Sequence, residues 1–258
     1  MCCLFGMADY GNCFTGRQKA YILSVLAAEC EARGTDATGV AYNSGGQLQV
    51  YKRPLPGHRM RFFFPRDTHV VMGHTRMATQ GSAKKNCNNH PFQGAVGGTP
   101  FALAHNGVLH NDGKLRKKLG LRATNIETDS YIAVQLIERK KALCFDTLSY
   151  MAEQVEGSFT FTVLDGRDNL YFIKGDNPLC LVHFPRLGFY LYTSTEDILA
   201  HALKKLQIVL EKPARVEVRC GDILKIDAAG RLTTGSFDTS SLIFNSWQFS
   251  LCSRYPIP

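Results

Sequence analysis

The chain has 258 residues, room for one large domain or two small ones, and its 45% hydrophobic and 20% charged residues exclude a disordered or collagen-like polypeptide. The net charge of +8 is carried partly by short, separated runs (Lys84-Lys85, Lys114 to Lys118, Arg139-Lys140-Lys141, Lys204-Lys205), a pattern of solvated faces, so nucleic-acid binding is not expected. No apolar run approaches the roughly 20 residues of a membrane span, and Met1-Cys2-Cys3-Leu4-Phe5-Gly6 lacks the basic lead and apolar core of a signal peptide, so a cytoplasmic protein without membrane contact is expected.

In chain order, Tyr21, Ile22, Val25, Leu26 and Cys30 recur at helical spacing, which predicts a helix over 17–33 closed by Gly34 as a C-terminal glycine. Gly45-Gly46 between 39–43 and 48–53 predicts a hairpin, 54–67 a loop, and the Val-rich stretch 68–75 a buried strand. A strand over 101–105 is expected to end at Asn106-Gly107, with helices over 127–140 and 144–155 to follow. Three hairpins are then predicted: 158–165 with 169–174, 179–184 with 189–193, and 215–220 with 222–227. A helix at about 195–208 falls between the second and the third. This order predicts an α+β fold with helices layered on antiparallel sheets, one domain with its core over about 2–230 and a tail over about 235–258 that docks or wraps.

Nine cysteines at 2, 3, 13, 30, 87, 144, 180, 220 and 252 are odd in number and contain no C-x-x-C pair. They read as reduced residues, mostly of the core, and not as a zinc or disulfide framework. Removal of Met1 is common when a small residue follows, and here it would leave Cys2 with a thiol and a free α-amine. A nucleophile and a base would then share one residue, the amine having an unperturbed pKa of about 7.7 to 8.0, near the working pH of a general base.

Four further segments accompany that start: Gly73-His74-Thr75-Arg76-Met77-Ala78-Thr79-Gln80-Gly81, Asn89-His90-Pro91-Phe92, Ala104-His105-Asn106-Gly107-Val108-Leu109 and Glu127-Thr128-Asp129-Ser130. In content and order they resemble the class II glutamine amidotransferases, a branch of the N-terminal-nucleophile hydrolases. Glu156-Gly157-Ser158-Phe159 and Gly221-Asp222-Ile223 resemble later strands of that family, which extends the likeness from residue 2 to about 230. The resemblance implies a four-layer α-β-β-α sandwich of two antiparallel sheets, with Cys2 attacking the side-chain amide of glutamine.

It assigns the oxyanion to the Asn106 side chain and the Gly107 N–H, the substrate carboxylate to Arg76 and the substrate ammonium to Asp129. These assignments fit the chemistry: a guanidinium fork matches a carboxylate, and a glycine N–H can approach a reacting carbon closely. Singly, Arg76 also reads as a surface cation at a strand end, Asn106-Gly107 as a turn and Asp129 as a helix-start residue. Thr79 is a candidate contact of the carboxylate or a structural hydroxyl. Cys3 reads as a packing residue. His74, His90, His105 and His110 lack a ligand spacing and read as structural, so no metal and no cofactor is expected.

Two departures stand out. Met77 and Gln80 occupy positions that are Trp and His in the glutaminase domain of glucosamine 6-phosphate synthase, and the 258 residues leave no room for the family's ammonia-consuming domain. The expectation is therefore a stand-alone glutaminase that passes ammonia to a separate synthase subunit. The alternatives are a catalytically silent glutamine-sensing or regulatory subunit, or a hydrolase of another γ-glutamyl amide.

Overall fold

The computed structural model describes residues 1–206, 211–240 and 242. Strands β1 (Cys3–Asp9), β2 (Ala37–Ser44), β3 (Gln47–Arg53), β4 (Val70–Arg76), β5 (Phe92–Val96), β6 (Thr99–Leu109) and β7 (Gly157–Asp165) are followed by β8 (Leu170–Lys174), β9 (Cys180–Phe184) and β10 (Phe189–Thr193). The last strands are β11 (Ala214–Val216), β12 (Asp222–Ile226) and β13 (Leu232–Ser236), and the helices are α1 (Gly16–Glu29), α2 (Asp112–Leu119), α3 (Tyr131–Glu138), α4 (Phe145–Gln154) and α5 (Glu196–Lys205). The strands form a seven-stranded sheet ordered β11-β9-β10-β1-β4-β2-β3 and a six-stranded sheet ordered β13-β12-β8-β7-β6-β5. The ladders between their strands are antiparallel.

Three apolar clusters divide the molecule into layers. Ile22, Leu23 and Leu26 of α1 and Leu199 of α5 pack on the seven-stranded sheet, while Ile132, Leu136, Leu148 and Met151 of α3 and α4 pack on the other. Between the sheets lie Leu4, Met72, Ala102, Ala104, Phe172, Tyr192 and Leu224. Strand alternation explains how one segment serves two layers. In β1, Cys3, Phe5 and Met7 enter the helix-side cluster, whereas Leu4 and Ala8 enter the cluster between the sheets. With both faces covered, β1 is buried along its whole length. The result is the expected α-β-β-α sandwich.

Several local expectations need correction. Strand β6 does not stop at Asn106-Gly107: it runs to Leu109, with Asn106 opposite Thr160 and Gly107 opposite Phe159. Residues 215–220 and 222–227 are not a hairpin, because β11 pairs with β9 in one sheet and β12 with β8 and β13 in the other. Gly34 is not a left-handed helix cap, since α1 gives way to a 3-10 turn over Cys30–Ala32 and Gly34 is absent from the positive-φ glycines. What demands glycine there is closeness: a Cβ on Gly34 would lie 2.6 Å from the carbonyl carbon of Arg76. The predicted helix at 195–208 is α5, with 207–208 outside the described residues, as is most of the predicted tail. Among the described residues no helix is long and apolar enough to cross a membrane.

Candidate active site

Cys2 precedes β1, and the antiparallel pairing of Cys3 with Thr75 brings it alongside Arg76 at the end of β4. The facing sheet delivers Asn106 and Gly107 from β6, and the segment before α3 delivers Asp129. Cys2, Arg76, Thr79, Gly107 and Asp129 line one narrow recess. Cys2, Thr79, Asn106 and Gly107 line an adjoining cavity of about 170 Å³. All six candidate residues thus meet around one thiol.

The Cys2 sulfur lies 3.5 Å from both the main-chain oxygen and the main-chain nitrogen of Met77. Burial pushes the thiol above its ordinary pKa; the Met77 main chain, the terminal ammonium and Arg76 pull it back, and Asp129 adds to the rise. Met1 is present, and its amine donates to Met77 Sδ at 2.6 Å. Arg33 Nε donates to the Cys2 carbonyl at 2.8 Å, which fixes the residue's main chain.

Arg76 is 3% exposed, so the reading of it as a surface cation does not hold. Its guanidinium donates to Asn89 Oδ1 at 2.8 Å and to the carbonyls of Gln80 and Gly81 at 2.6 and 2.9 Å. Asp129, also 3% exposed, does not cap α3 with its side chain. Its Oδ2 accepts from the Leu109 N–H at 2.6 Å and its Oδ1 from the Ser130 hydroxyl at 3.4 Å. Among the described residues neither Arg76 nor Asp129 takes part in a salt bridge. A buried cation and a buried anion, each held by neutral groups, are suited to receiving the two charged ends of an amino acid.

Asn106 Nδ2 donates to Ser194 Oγ at 3.3 Å, and the Asn106 carbonyl accepts from Asn177 Nδ2 at 3.1 Å. One amide N–H is thereby used for orientation and the second remains for a ligand. Gly107 has φ of +149°, and a Cβ there would lie 1.9 Å from the Ser158 carbonyl oxygen. Only glycine permits the strand to pass so close to β7 at this point. Thr79 is exposed on the loop after β4.

The sequence profile of the class-II glutamine amidotransferases matches residues 1–185. The chain belongs to that family. Glutamine–fructose-6-phosphate aminotransferase (isomerizing) of Staphylococcus epidermidis is 29% identical over 188 residues, which are 69% of this chain and 30% of that protein. The structure of the allosteric regulatory enzyme of purine biosynthesis has a TM-score of 0.70 at 19% identity, over 92% of this chain and 49% of that one. Glutamine phosphoribosylpyrophosphate amidotransferase from B. subtilis gives 0.68 at 19% identity, over 93% and 50%. At this identity both structures speak to the fold.

Around this family's motifs the remaining candidates take supporting places. Cys3 is fully buried and its thiol donates to Cys30 Sγ at 3.0 Å. His74 Nε2 lies 3.0 Å from the His105 carbonyl oxygen and His105 Nδ1 lies 2.8 Å from Ser130 Oγ, so the two rings tie the sheets and the Asp129 segment together. The His90 ring lies tilted against that of His74, with centroids 4.2 Å apart. Burial lowers all three: His74 to about 3, His90 well below its ordinary value, and His105 in the same direction. His110 is exposed, away from the recess. Ser194, Asn177 and Arg33, which orient the candidate residues, have no local signature, because each acts across a long sequence separation.

Proposed function

We propose that the chain hydrolyses the side-chain amide of glutamine to glutamate and ammonia through a thioester on Cys2. The observation that carries this reading is the convergence of Cys2, Arg76, Asn106, Gly107 and Asp129 from four separate segments on a recess and an adjoining cavity that share Cys2 and Gly107, with Arg76 and Asp129 buried and outside any described salt bridge. Arg76 takes the substrate α-carboxylate and Asp129 its α-ammonium, which aims the side-chain amide at the sulfur. Thr79 at the rim adds a hydroxyl toward the carboxylate.

The mechanism requires that Met1 be removed. The α-amine of Cys2 then accepts the thiol proton as the sulfur attacks the amide carbon. The tetrahedral oxyanion is held by Asn106 Nδ2 and the Gly107 N–H, and the ammonium of Cys2 returns the proton to the departing nitrogen. Water activated by the same amine attacks the thioester and releases glutamate. No metal or cofactor enters these steps.

The ammonia is proposed to pass to a synthase, in keeping with the S. epidermidis relative, which is named for aminating fructose 6-phosphate. A reducing compartment such as the cytoplasm fits the cysteines at 2, 3, 13, 30, 87, 144 and 180, none of which forms a disulfide among the described residues. Glutamate and ammonia release by purified protein beginning at Cys2 tests the reading. Stoichiometric release abolished by Cys2→Ala is expected, and binding of glutamine without any release would favour the sensing alternative.

A further inference from the structure

The buried Arg76 guanidinium lies near two acidic side chains, Asp36 and Asp129, and pairs with neither, although the Asp36 N–H donates to the Arg76 carbonyl at 2.9 Å. Burial lowers the Arg76 pKa and Cys2, Asp36 and Asp129 only partly oppose it, while its three hydrogen-bond acceptors are two main-chain carbonyls and the Asn89 side chain, all uncharged. The side chain is the telling one of the three. Main-chain carbonyls are neutral in every sequence, whereas position 89 could hold a carboxylate of the same shape, the usual mate of a buried arginine.

Asn89 is itself fully buried and fixed at every polar group. Its Nδ2 donates to the Ala83 carbonyl at 2.8 Å and to Asn86 Oδ1 at 3.3 Å, so the amide cannot flip without presenting its NH2 group to the guanidinium. Its carbonyl accepts from Lys52 Nζ at 2.5 Å, and the same ammonium donates to the Pro91 carbonyl at 3.0 Å. Asn86 Nδ2 in turn donates to the Lys52 carbonyl at 3.0 Å, tying the loop back to β3. The loop that carries Asn89 is thus anchored to the edge of the seven-stranded sheet, and Asn89 Oδ1 is a stationary acceptor for Arg76.

We propose that Asn89 is a positioning residue that sets the specificity of this site for an α-carboxylate: it holds the Arg76 guanidinium in place while leaving its positive charge unneutralised for the substrate. The inference rests on the function proposed above. A carboxylate at position 89 would hold Arg76 at least as firmly but would cancel the charge that the substrate must find. Geometry and charge therefore make opposite demands, and only a neutral acceptor meets both.

The test compares Asn89→Asp and Asn89→Ala with the parent protein by calorimetric glutamine binding in a Cys2→Ala background, thermal melting, and the KM and kcat of the nucleophile-intact forms. Asn89→Asp gains a charge pair with Arg76 but turns an acceptor oxygen toward the Ala83 carbonyl and Asn86 Oδ1, so it should melt below the parent but no lower than Asn89→Ala, and yet bind glutamine at least tenfold more weakly than Asn89→Ala, with the loss in KM and little change in kcat. Asn89→Ala should both melt lower and bind more weakly. An Asn89→Asp protein that binds glutamine as the parent does overturns the proposal and leaves the function reading intact. A parent that binds no glutamine overturns both. A binding loss in Asn89→Asp no greater than that of Asn89→Ala also overturns it, because a structural role predicts losses that follow the melting temperatures.

Discussion

The main chain of Met77 brackets the sulfur of Cys2, with its N–H and its carbonyl oxygen each 3.5 Å away. The carbonyl can accept from the thiol and the N–H can donate to the thiolate, so one residue answers both protonation states of the nucleophile. Burial raises the thiol's pKa, which makes a base next to it necessary for attack near neutral pH. On this account the base is the Cys2 α-amine, and the neighbouring cysteine has no part in it.

Cys2 and Cys3 should therefore separate cleanly. Cys2→Ala should abolish turnover and labelling by a glutamine-like electrophile. Cys3→Ala should keep both, losing about 1 kcal/mol because it removes a small buried group and its contact to Cys30 at 3.0 Å. Kinetics and urea melts of the two variants decide it, and a dead Cys3→Ala with a live Cys2→Ala would reverse the assignment.

Asn106→Ala removes one oxyanion donor while leaving Arg76 and Asp129 in place. The loss should fall on kcat, about 10²- to 10³-fold, with a smaller change in KM, because the charge that Asn106 meets develops in the transition state. Steady-state kinetics on glutamine measure it. A change confined to KM would make Asn106 a ground-state contact.

Gly107→Ala tests the backbone as distinct from the side chains. The added methyl would sit 1.9 Å from the Ser158 carbonyl oxygen at a φ of +149°, so β6 and β7 must separate locally. We expect a loss of at least about 3 kcal/mol with activity falling in parallel. A melting temperature equal to the parent's would contradict the close approach.

Acid should destabilise the fold through three buried histidines. His74 is lowered to about 3, and His90 and His105 are lowered too, so below pH 6.5 the unfolded chain binds more protons than the native one. Stability then falls as pH falls, by up to about 1.4 kcal/mol per pH unit for each histidine that stays neutral in the fold. For His74 the window runs from about 6.5 down to about 3. Urea melts from pH 7 to pH 4 should show this slope, and His90→Gln should flatten it; an unchanged slope would remove His90 from the account.

Much of this was legible in the sequence, and the omissions have physical reasons. The helices α1, α3, α4 and α5 and the hairpins β2–β3, β7–β8 and β9–β10 announce themselves by periodicity and turn residues. Helix α2 does not, because Leu115 is its single buried residue and only the half-buried Leu119 joins it in a segment dominated by Lys and Arg. Asn106-Gly107 has the chemistry of a turn, yet the same absence of a Cβ lets an extended chain pass close to Ser158, and local sequence does not distinguish the two uses. Nor does it say that β11 and β12, adjacent in the chain, pair in different sheets. Of the site, the motifs supplied the residues that face the recess. Their supports were hidden: Asn106 and Ser194 are 88 residues apart, and nothing near Ser194 marks it.

The central claim is that Cys2, as the first residue of the mature chain, is the nucleophile. Its most direct measurement is mass spectrometry of the intact protein and its peptides after reaction with a glutamine-like electrophile, on protein beginning at Cys2 and on protein retaining Met1. The account predicts a single adduct on the Cys2 sulfur of the processed form, protection by glutamine, and glutamate release by that form alone. An adduct on another cysteine, or full glutamate release by protein retaining Met1, would contradict it.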